Sequence, residues 1–253
     1  MIKKLIVLLL IMLITACTST GNTRRATQPE SKSEKAAEIN MQLGLNYMQR
    51  GDYKVALDKL QRALELDPTL PSAHNTIAVL YQRLDEKDKA ESHFKEAVQR
   101  APEYSEAQNN YGVFLCQEKR YQEAEQRFLE AIKNPLYENK DQAYENAGIC
   151  VGLIPDATLA EQYFRKALQL NPNLSKSLFQ MANLSYLNID YAQAKSYMER
   201  YQAVSQWTAQ SLLLAMKIEN KFDNQDTVAS YGLLLRARFP DSDEAQQVKE
   251  GLY

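Results

Sequence analysis

Residues 71–104 read PSAHNTIAVLYQRLDEKDKAESHFKEAVQRAPEY, and their pattern of small, aromatic and proline residues returns in residues 105–138. On both sides of this stretch, a small residue recurs at intervals of 34, 34, 36 and 34 residues. The members of this series are Gly44, Ala78, Gly112, Gly148 and Ala182. A second series with the same intervals consists of Ala56, Ala90, Ala124, Ala160 and Ala194. Self-similarity at a fixed period of this length indicates stacked copies of one supersecondary unit.

The repeated unit resembles the tetratricopeptide repeat, in which each unit is a pair of antiparallel helices, A and B. Small residues at positions 8 and 20 of the unit let the two helices approach closely. A large residue at position 24 is expected to fill the contact with the next unit, and proline at position 32 ends helix B. The residues at position 24 are Leu60, Phe94, Phe128, Phe164 and Met198. We therefore expect an all-α, right-handed superhelical solenoid of about six tetratricopeptide repeats.

The register of the repeat divides the chain after residue 36 into six units and a terminal helix. The predicted units are residues 37–70, 71–104, 105–138, 141–174, 175–208 and 209–242, with a C-terminal cap at 243–253. Unit five has Tyr201 and Gln206 in place of the usual alanine and proline. Unit six has Val228 and Gly232 where alanine and an aromatic residue are expected. The last two units are therefore degenerate.

The N-terminal segment has the composition of a secretory signal. Lys3 and Lys4 precede an apolar run, residues 5–16, which is too short to span a bilayer of about 30 Å as a helix. The sequence ITAC at residues 14–17 resembles a lipobox, so residues 1–16 are predicted to be a signal peptide and Cys17 the lipidated (palmitate-bearing) residue. The alternative is an ordinary secreted protein with a chance cysteine. Residues 17–36 are polar and are predicted to form a flexible tether.

The composition argues against nucleic-acid binding and against catalysis. The chain has 30 Lys and Arg and 32 Asp and Glu, so no strong positive field exists to attract nucleic acid. The two histidines, His74 and His93, are expected to be packing or surface residues, and no metal or cofactor is expected. No nucleophile or phosphate-loop motif occurs, so we expect a binding protein. A periplasmic hydrolase is the alternative of another class.

Two cysteines remain once Cys17 is assigned to the lipid. Cys116 and Cys150 both fall late in helix A of adjacent units, and adjacent A helices are expected to pack side by side. In an oxidising compartment this arrangement makes a disulfide a candidate. The alternative is two separate buried thiols in a helix seam.

The partner-binding surface is expected on the concave face, which helix A lines with positions 2, 5, 9, 12 and 13. The candidate groove residues are Met41, Leu45, Met48, Asn75, Val79, Gln82, Asn109 and Val113. The first unit thus presents an apolar, methionine-rich stripe that suits an amphipathic helix of a partner. The alternative is that these side chains pack against the tether.

Three further stretches extend the resemblance beyond the generic repeat: NNYGVFLC at 109–116, NPLY at 134–137 and ENAGIC at 145–150. Together with the lipobox they resemble type IV pilus biogenesis and stability lipoproteins of the PilF/PilW type. This resemblance implies a pilotin, which binds the secretin of the pilus machinery and promotes its localisation and multimerisation. Thr18, in place of aspartate after the lipidated cysteine, resembles the outer-membrane sorting signal of lipoproteins. We expect a monomer anchored to the periplasmic face of the outer membrane. The alternative in the same class is an adaptor lipoprotein for β-barrel assembly or for cell-wall enzymes.

Overall fold

The computed structural model describes residues 31–154 and 157–251. This part of the chain contains thirteen α-helices and no strand, which confirms the all-α repeat solenoid. The helices are α1 (Lys32–Gln49), α2 (Tyr53–Leu66), α3 (Pro71–Arg83), α4 (Lys87–Arg100), α5 (Ser105–Gln117), α6 (Tyr121–Lys133), α7 (Lys140–Val151), α8 (Ala157–Leu170), α9 (Ser175–Leu187), α10 (Tyr191–Val204), α11 (Ala209–Asn220), α12 (Gln225–Arg238) and α13 (Asp243–Lys249).

The helices pack as six consecutive A–B pairs, from α1–α2 to α11–α12, and α13 packs on both helices of the last pair. Each A helix contacts the A helix of the next pair, whereas the B helices of successive pairs do not contact each other in the described part of the chain. Because the A helices lie close together and the B helices diverge, the A helices form the concave face of the stack. This layering places any groove for a partner on the A helices.

A small residue at position 8 sets the approach of the two helices within each unit. A Cβ added at Gly112 would lie 2.7 Å from Cε1 of the Phe128 ring, and one added at Gly148 would lie 2.8 Å from Cε1 of Phe164. Both rings are buried and belong to the same unit as the glycine they face. Position 24 therefore fills the contact within its own unit as well as the contact with the next unit, where Phe94 packs 5.5 Å from the Tyr111 ring.

Unit six keeps this contact with the two roles exchanged. Met216 stands at position 8 and Gly232 at position 24, so the large residue lies on helix A and the small one on helix B. A Cβ added at Gly232 would lie 3.3 Å from the terminal methyl carbon of Met216. Met216 is fully buried, so the unit that looks degenerate in sequence retains a complete small-to-large contact.

The N-terminal boundary differs from the expectation. The first helix begins at Lys32, because the Ser31 side chain accepts from the Glu34 backbone N–H and the Glu34 carboxylate accepts from the Ser31 backbone N–H. This capping box is a strong helix start signal. The prediction of a tether that continues to residue 36 is therefore wrong for its last residues. The predicted signal peptide, the predicted lipidation site Cys17 and the rest of the predicted tether lie outside the described residues.

Candidate functional site

An open groove of about 480 Å³ lies on the concave face of the first units, between α1 and α3. Five of the eight predicted groove residues line it: Met41, Leu45, Met48, Asn75 and Val79. The remaining lining residues are Glu38, Gln42, Ser72, Thr76, Arg83, Tyr104, Glu106 and Asn110. We call this surface the N-terminal groove.

The methionines of the N-terminal groove are less available than the sequence suggested. Met41 is 6% exposed and Met48 is 4% exposed, because both pack into the core cluster around Leu60. The expectation of an exposed methionine stripe is therefore wrong. Leu45 and Val79 are half-buried, so they supply the apolar surface that a partner can reach.

The other three predicted residues, Gln82, Asn109 and Val113, are not among the lining residues of the N-terminal groove. Val113 is half-buried against the central core, and the Gln82 side chain donates to Gln117 Oε1 at 2.7 Å. Asn109 Oδ1 accepts a hydrogen bond from Asn146 Nδ2 at 3.1 Å. These side chains connect successive A helices.

An equivalent contact reaches the N-terminal groove itself. Asn75 Oδ1 accepts from Asn110 Nδ2 at 3.2 Å, so position 5 of one unit again meets position 6 of the next. The amide pair links α3 to α5 at the edge of the groove. It also places amide groups beside the apolar patch of Leu45 and Val79.

The charged residues of the N-terminal groove were not among the candidates. Glu38 and Glu106 stand at position 2 of their units and Arg83 at position 13, both of which face inward in this fold. Ser72 Oγ donates to Glu38 at 3.4 Å, and the Tyr137 hydroxyl donates to Glu106 at 3.2 Å. Arg83 forms no ion pair with a described residue. All three charged residues stand at inward-facing positions, so the position in the repeat would have identified them if charged residues had been considered together with apolar and amide residues.

The hydrogen bond from Tyr137 holds one of these carboxylates in place. Burial of the Tyr137 side chain, followed by the charge of Glu106, raises the pKa of the phenol well above its usual range. The phenol therefore stays a hydrogen-bond donor at every physiological pH. It ties the loop after α6 to the start of α5, at the edge of the N-terminal groove.

The described residues offer side chains for binding and no assembled metal site. No group of three or more His, Cys, Asp or Glu is placed to hold a metal ion within residues 31–154 and 157–251. The two histidines pair with each other: His74 Nδ1 and His93 Nδ1 lie 3.0 Å apart, and His74 Nε2 donates to the Pro68 carbonyl at 3.1 Å.

No helix in the described part of the chain combines the length and the apolar character needed to cross a membrane.

The two remaining cysteines face each other across the seam between α5 and α7. Their Cα atoms are 5.7 Å apart and their sulfur atoms form a disulfide in the structure. The bond joins the A helices of units three and four near the C-terminal ends of both helices. Cys150 is fully buried and Cys116 is half-buried.

Family models match the first half of the described chain. A "TPR repeat" model matches residues 44–85, and a "Tetratricopeptide repeat" model matches residues 75–139. These matches cover the units whose small and large positions follow the pattern most closely. They agree with the helix pairing seen in the structure.

The similarity to known proteins extends over almost the whole chain. Type IV pilus assembly protein PilF of Pseudomonas aeruginosa is 35% identical over 246 residues, which is 97% of each chain. The solved structure of Pseudomonas aeruginosa PilF has a TM-score of 0.84 at 35% identity and covers 87% of this chain and 100% of that one. The crystal structure of PilW, a type IV pilus biogenesis factor, has a TM-score of 0.75 at 33% identity and covers 84% of this chain and 97% of that one. The chain therefore belongs to the PilF/PilW family of tetratricopeptide-repeat proteins that act in type IV pilus assembly.

Proposed function

We propose that this protein is a pilotin, an outer-membrane lipoprotein that binds the type IV pilus secretin and promotes its localisation and multimerisation. The observation that carries the proposal is the relation to a type IV pilus assembly protein along 97% of both chains, N-terminal segment included. The sequence ITAC before a polar stretch supports a lipid anchor on Cys17. Thr18 after that cysteine supports the outer membrane, on its periplasmic face.

The proposed mechanism is physical and needs no catalytic step. The acyl chains on Cys17 hold the protein at one membrane, since two or more chains are needed for stable anchoring. The repeat domain then binds one secretin subunit. Tethering converts the encounter between membrane-held subunits into a nearly intramolecular event, which raises their effective concentration for assembly.

The N-terminal groove is the proposed secretin site. Leu45 and Val79 offer an apolar patch, Asn75 stands beside it, and Arg83 and Glu38 lie at its border. An amphipathic segment can bury one apolar side chain on this patch and align its polar groups with the amides and charges. Helix-in-groove recognition of this kind uses a few apolar anchors at helical spacing.

A charge at Leu45 tests the proposal. Burying a leucine side chain contributes about 1.5–3 kcal/mol, and an unpaired carboxylate there would also have to be desolvated. We expect Leu45→Glu to weaken secretin binding at least tenfold, because about 1.4 kcal/mol corresponds to a factor of ten. The measurement is the affinity of the purified protein for the secretin's periplasmic region, with circular dichroism as the check on folding.

Leu233→Glu is the matched control, because Leu233 is 63% exposed on α12 and lines no groove described above. We expect this variant to bind the secretin like the unmodified protein. If Leu45→Glu is folded and keeps full affinity, the N-terminal groove is not the secretin site.

A further inference from the structure

A second groove lies on the concave face of the degenerate units. It consists of two contiguous hollows, of about 420 and 350 Å³, which share Phe179, Gln180 and Gln210. Helices α9 and α11 form its walls, and Glu244 and Gln247 of α13 close one side. None of its lining residues belongs to the N-terminal groove. We call it the C-terminal groove.

The floor of the C-terminal groove is apolar. Phe179 and Tyr186 are half-buried there, and Leu213 is nearly buried beside them. Leu187 closes the end of α9 with 66% of its surface exposed. A half-covered aromatic and aliphatic floor on a concave face is the usual form of a peptide-binding surface.

The charge of the C-terminal groove is opposite to that of the N-terminal groove. Lys176 and Lys217 are its basic residues, and Glu244 is its one carboxylate in the described lining. Neither lysine forms an ion pair with a described residue. They stand at positions 2 and 9 of adjacent A helices, about 10 Å apart along the helix axes at 1.5 Å per residue. Two unpaired cations therefore flank an apolar floor.

The turn that follows Leu187, at the end of α9, contains a strained backbone residue. Five of the described turns between helix A and helix B contain a residue with positive φ, and this residue always stands at position 15 of its unit. These residues are Gly51, Asp85, Lys119, Ile189 and Asp223. Ile189 has φ +64° and is 72% exposed, and it is the only apolar side chain among them. A β-branched residue is an outlier in this backbone region, and such strain concentrates at functional sites. The turn thus keeps a strained, exposed isoleucine two residues after the exposed Leu187.

We propose that the C-terminal groove binds an amphipathic segment of a second partner polypeptide, whose apolar side chains pack between α9 and α11 and whose carboxylates meet Lys176 and Lys217. A polypeptide fits better than a lipid surface, because a flat bilayer does not enter a concave face. This site is independent of secretin binding at the N-terminal groove. The two grooves of opposite charge make the protein a bridge between two different segments.

Selection of peptides tests the proposal. A phage library of random peptides is panned against the immobilised full-length protein in detergent, and the affinities of the selected peptides are then measured. We expect enrichment of apolar residues flanked by Asp and Glu, with binding weakened at least tenfold by Lys217→Glu and by Leu187→Gln. Leu45→Glu, in the other groove, should leave this binding unchanged.

Three outcomes would overturn the proposal. The first is that the selected peptides show no enrichment of Asp and Glu. The second is that neither Lys217→Glu nor Leu187→Gln changes the affinity for the selected peptides. The third is binding to vesicles of phosphatidylglycerol that these variants abolish, which would assign the lysines to a membrane surface. Failure of the secretin test at Leu45 would not affect any of these readouts.

Replacing the strained isoleucine separates binding from folding. Ile189→Gly removes the apolar side chain and the strain, as Gly51 does in the first turn. We expect the melting temperature to rise by about 2–4 °C while the selected peptides bind at least threefold more weakly. A purely structural isoleucine would change the melting temperature alone, and that result would exclude Ile189 from the site.

Discussion

At the residue scale, units one, three, four and six are each assembled around a contact between one small and one large side chain. The large partner is an aromatic ring in units three and four, where Gly112 and Gly148 lie against Phe128 and Phe164. In unit six the large partner is Met216 and the small one is Gly232. The rigidity of the large side chain decides how much room the small position tolerates, because a ring cannot bend away as a methionine can.

Alanine substitutions at these glycines should have opposite effects. A Cβ at Gly112 would overlap the Phe128 ring at 2.7 Å, which we expect to cost about 1–3 kcal/mol in a packed core. The better helix propensity of alanine, about 1 kcal/mol, offsets only part of this. A Cβ at Gly232 would meet the flexible end of Met216 at 3.3 Å, so Gly232→Ala should be neutral or slightly stabilising.

Chemical denaturation of both variants measures the difference. We expect a lower midpoint for Gly112→Ala and an unchanged or higher midpoint for Gly232→Ala. Equal destabilisation of the two proteins would contradict the role given to ring rigidity.

At the element scale, neighbouring A helices are joined by specific side-chain links as well as by apolar packing. The amide pairs Asn75–Asn110 and Asn109–Asn146 connect three consecutive A helices on their concave side. Cys116 and Cys150 join α5 and α7, where the insertion breaks the regular spacing of the repeat. These links hold α3, α5 and α7 in a fixed arrangement, which preorganises the side of the N-terminal groove formed by α3 and α5 for binding.

Protein recovered from the periplasm should contain a Cys116–Cys150 disulfide. The link closes a loop with a sequence separation of 34. For such a loop the chain-entropy model gives roughly 3–4 kcal/mol of stabilisation. We expect no free thiol from this pair after unfolding without reductant, and a matching loss of stability in the Cys116→Ser, Cys150→Ser double variant. Reductant should destabilise the unmodified protein and leave the double variant unchanged, whereas two reactive thiols in the unreduced protein would exclude the bridge.

The histidine pair between α3 and α4 should make unit two sensitive to acid. Burial, followed by the proximity of His74, lowers the pKa of His93 from 6.5 to about 4, while Glu96 acts in the opposite direction. The folded protein therefore binds fewer protons at His93 than the unfolded chain does between pH 6.5 and pH 4. The contribution of neutral His93 to the free energy of unfolding is therefore complete above pH 6.5, and it declines as the pH falls from 6.5 to about 4.

His93→Gln removes the titrating group and keeps a hydrogen-bonding side chain. We expect the free energy of unfolding of this variant to fall less between pH 7.5 and pH 5 than that of the unmodified protein. Urea unfolding at the two pH values measures this. Parallel decreases in the two proteins would mean that other groups cause the acid sensitivity.

At the scale of the whole molecule, the protein is an elongated stack with a groove near each end of its concave face. The N-terminal groove carries two carboxylates and one arginine, and the C-terminal groove carries two lysines and one carboxylate. A stack of units that contact only their neighbours permits such separate surfaces, because each groove depends on two or three adjacent units. The proposed lipid at Cys17 precedes the first unit in sequence.

Cys17→Ser should detach the protein from the membrane without changing its fold. The substitution removes the thiol that would carry the diacylglycerol, and residue 17 precedes the first described helix at Lys32. We expect loss of palmitate labelling, loss of the protein from the outer-membrane fraction and fewer secretin multimers, with unchanged circular dichroism of the purified chain. Labelling that persists in Cys17→Ser would refute lipidation at this residue.

The candidate site could be predicted from the sequence only in part. Position within the repeat identified Leu45, Asn75 and Val79, because the helical period places them on one face and the resemblance to the tetratricopeptide repeat implies that this face is inward. It misjudged the exposure of Met41 and Met48, since their burial depends on residues such as Leu60 that come from another helix. It also passed over Arg83 and the two lysines of the C-terminal groove, and only the structure shows that no carboxylate in residues 31–154 and 157–251 forms an ion pair with them.

The sequence by itself determined the class of fold, the pairing of helices and the order of the units. These follow from local signals: the period of 34 residues, the small and large positions, and the prolines that end helices. Only the tertiary structure decided that Met216 and Gly232 exchange roles in unit six and that His74 pairs with His93. It also showed that Ile189, in the turn after Leu187 of the second groove, is exposed and strained. The physical reason is that a repeat pattern records which positions face each other. The side chains that complete each contact, and the charges left without a partner, depend on how distant segments pack.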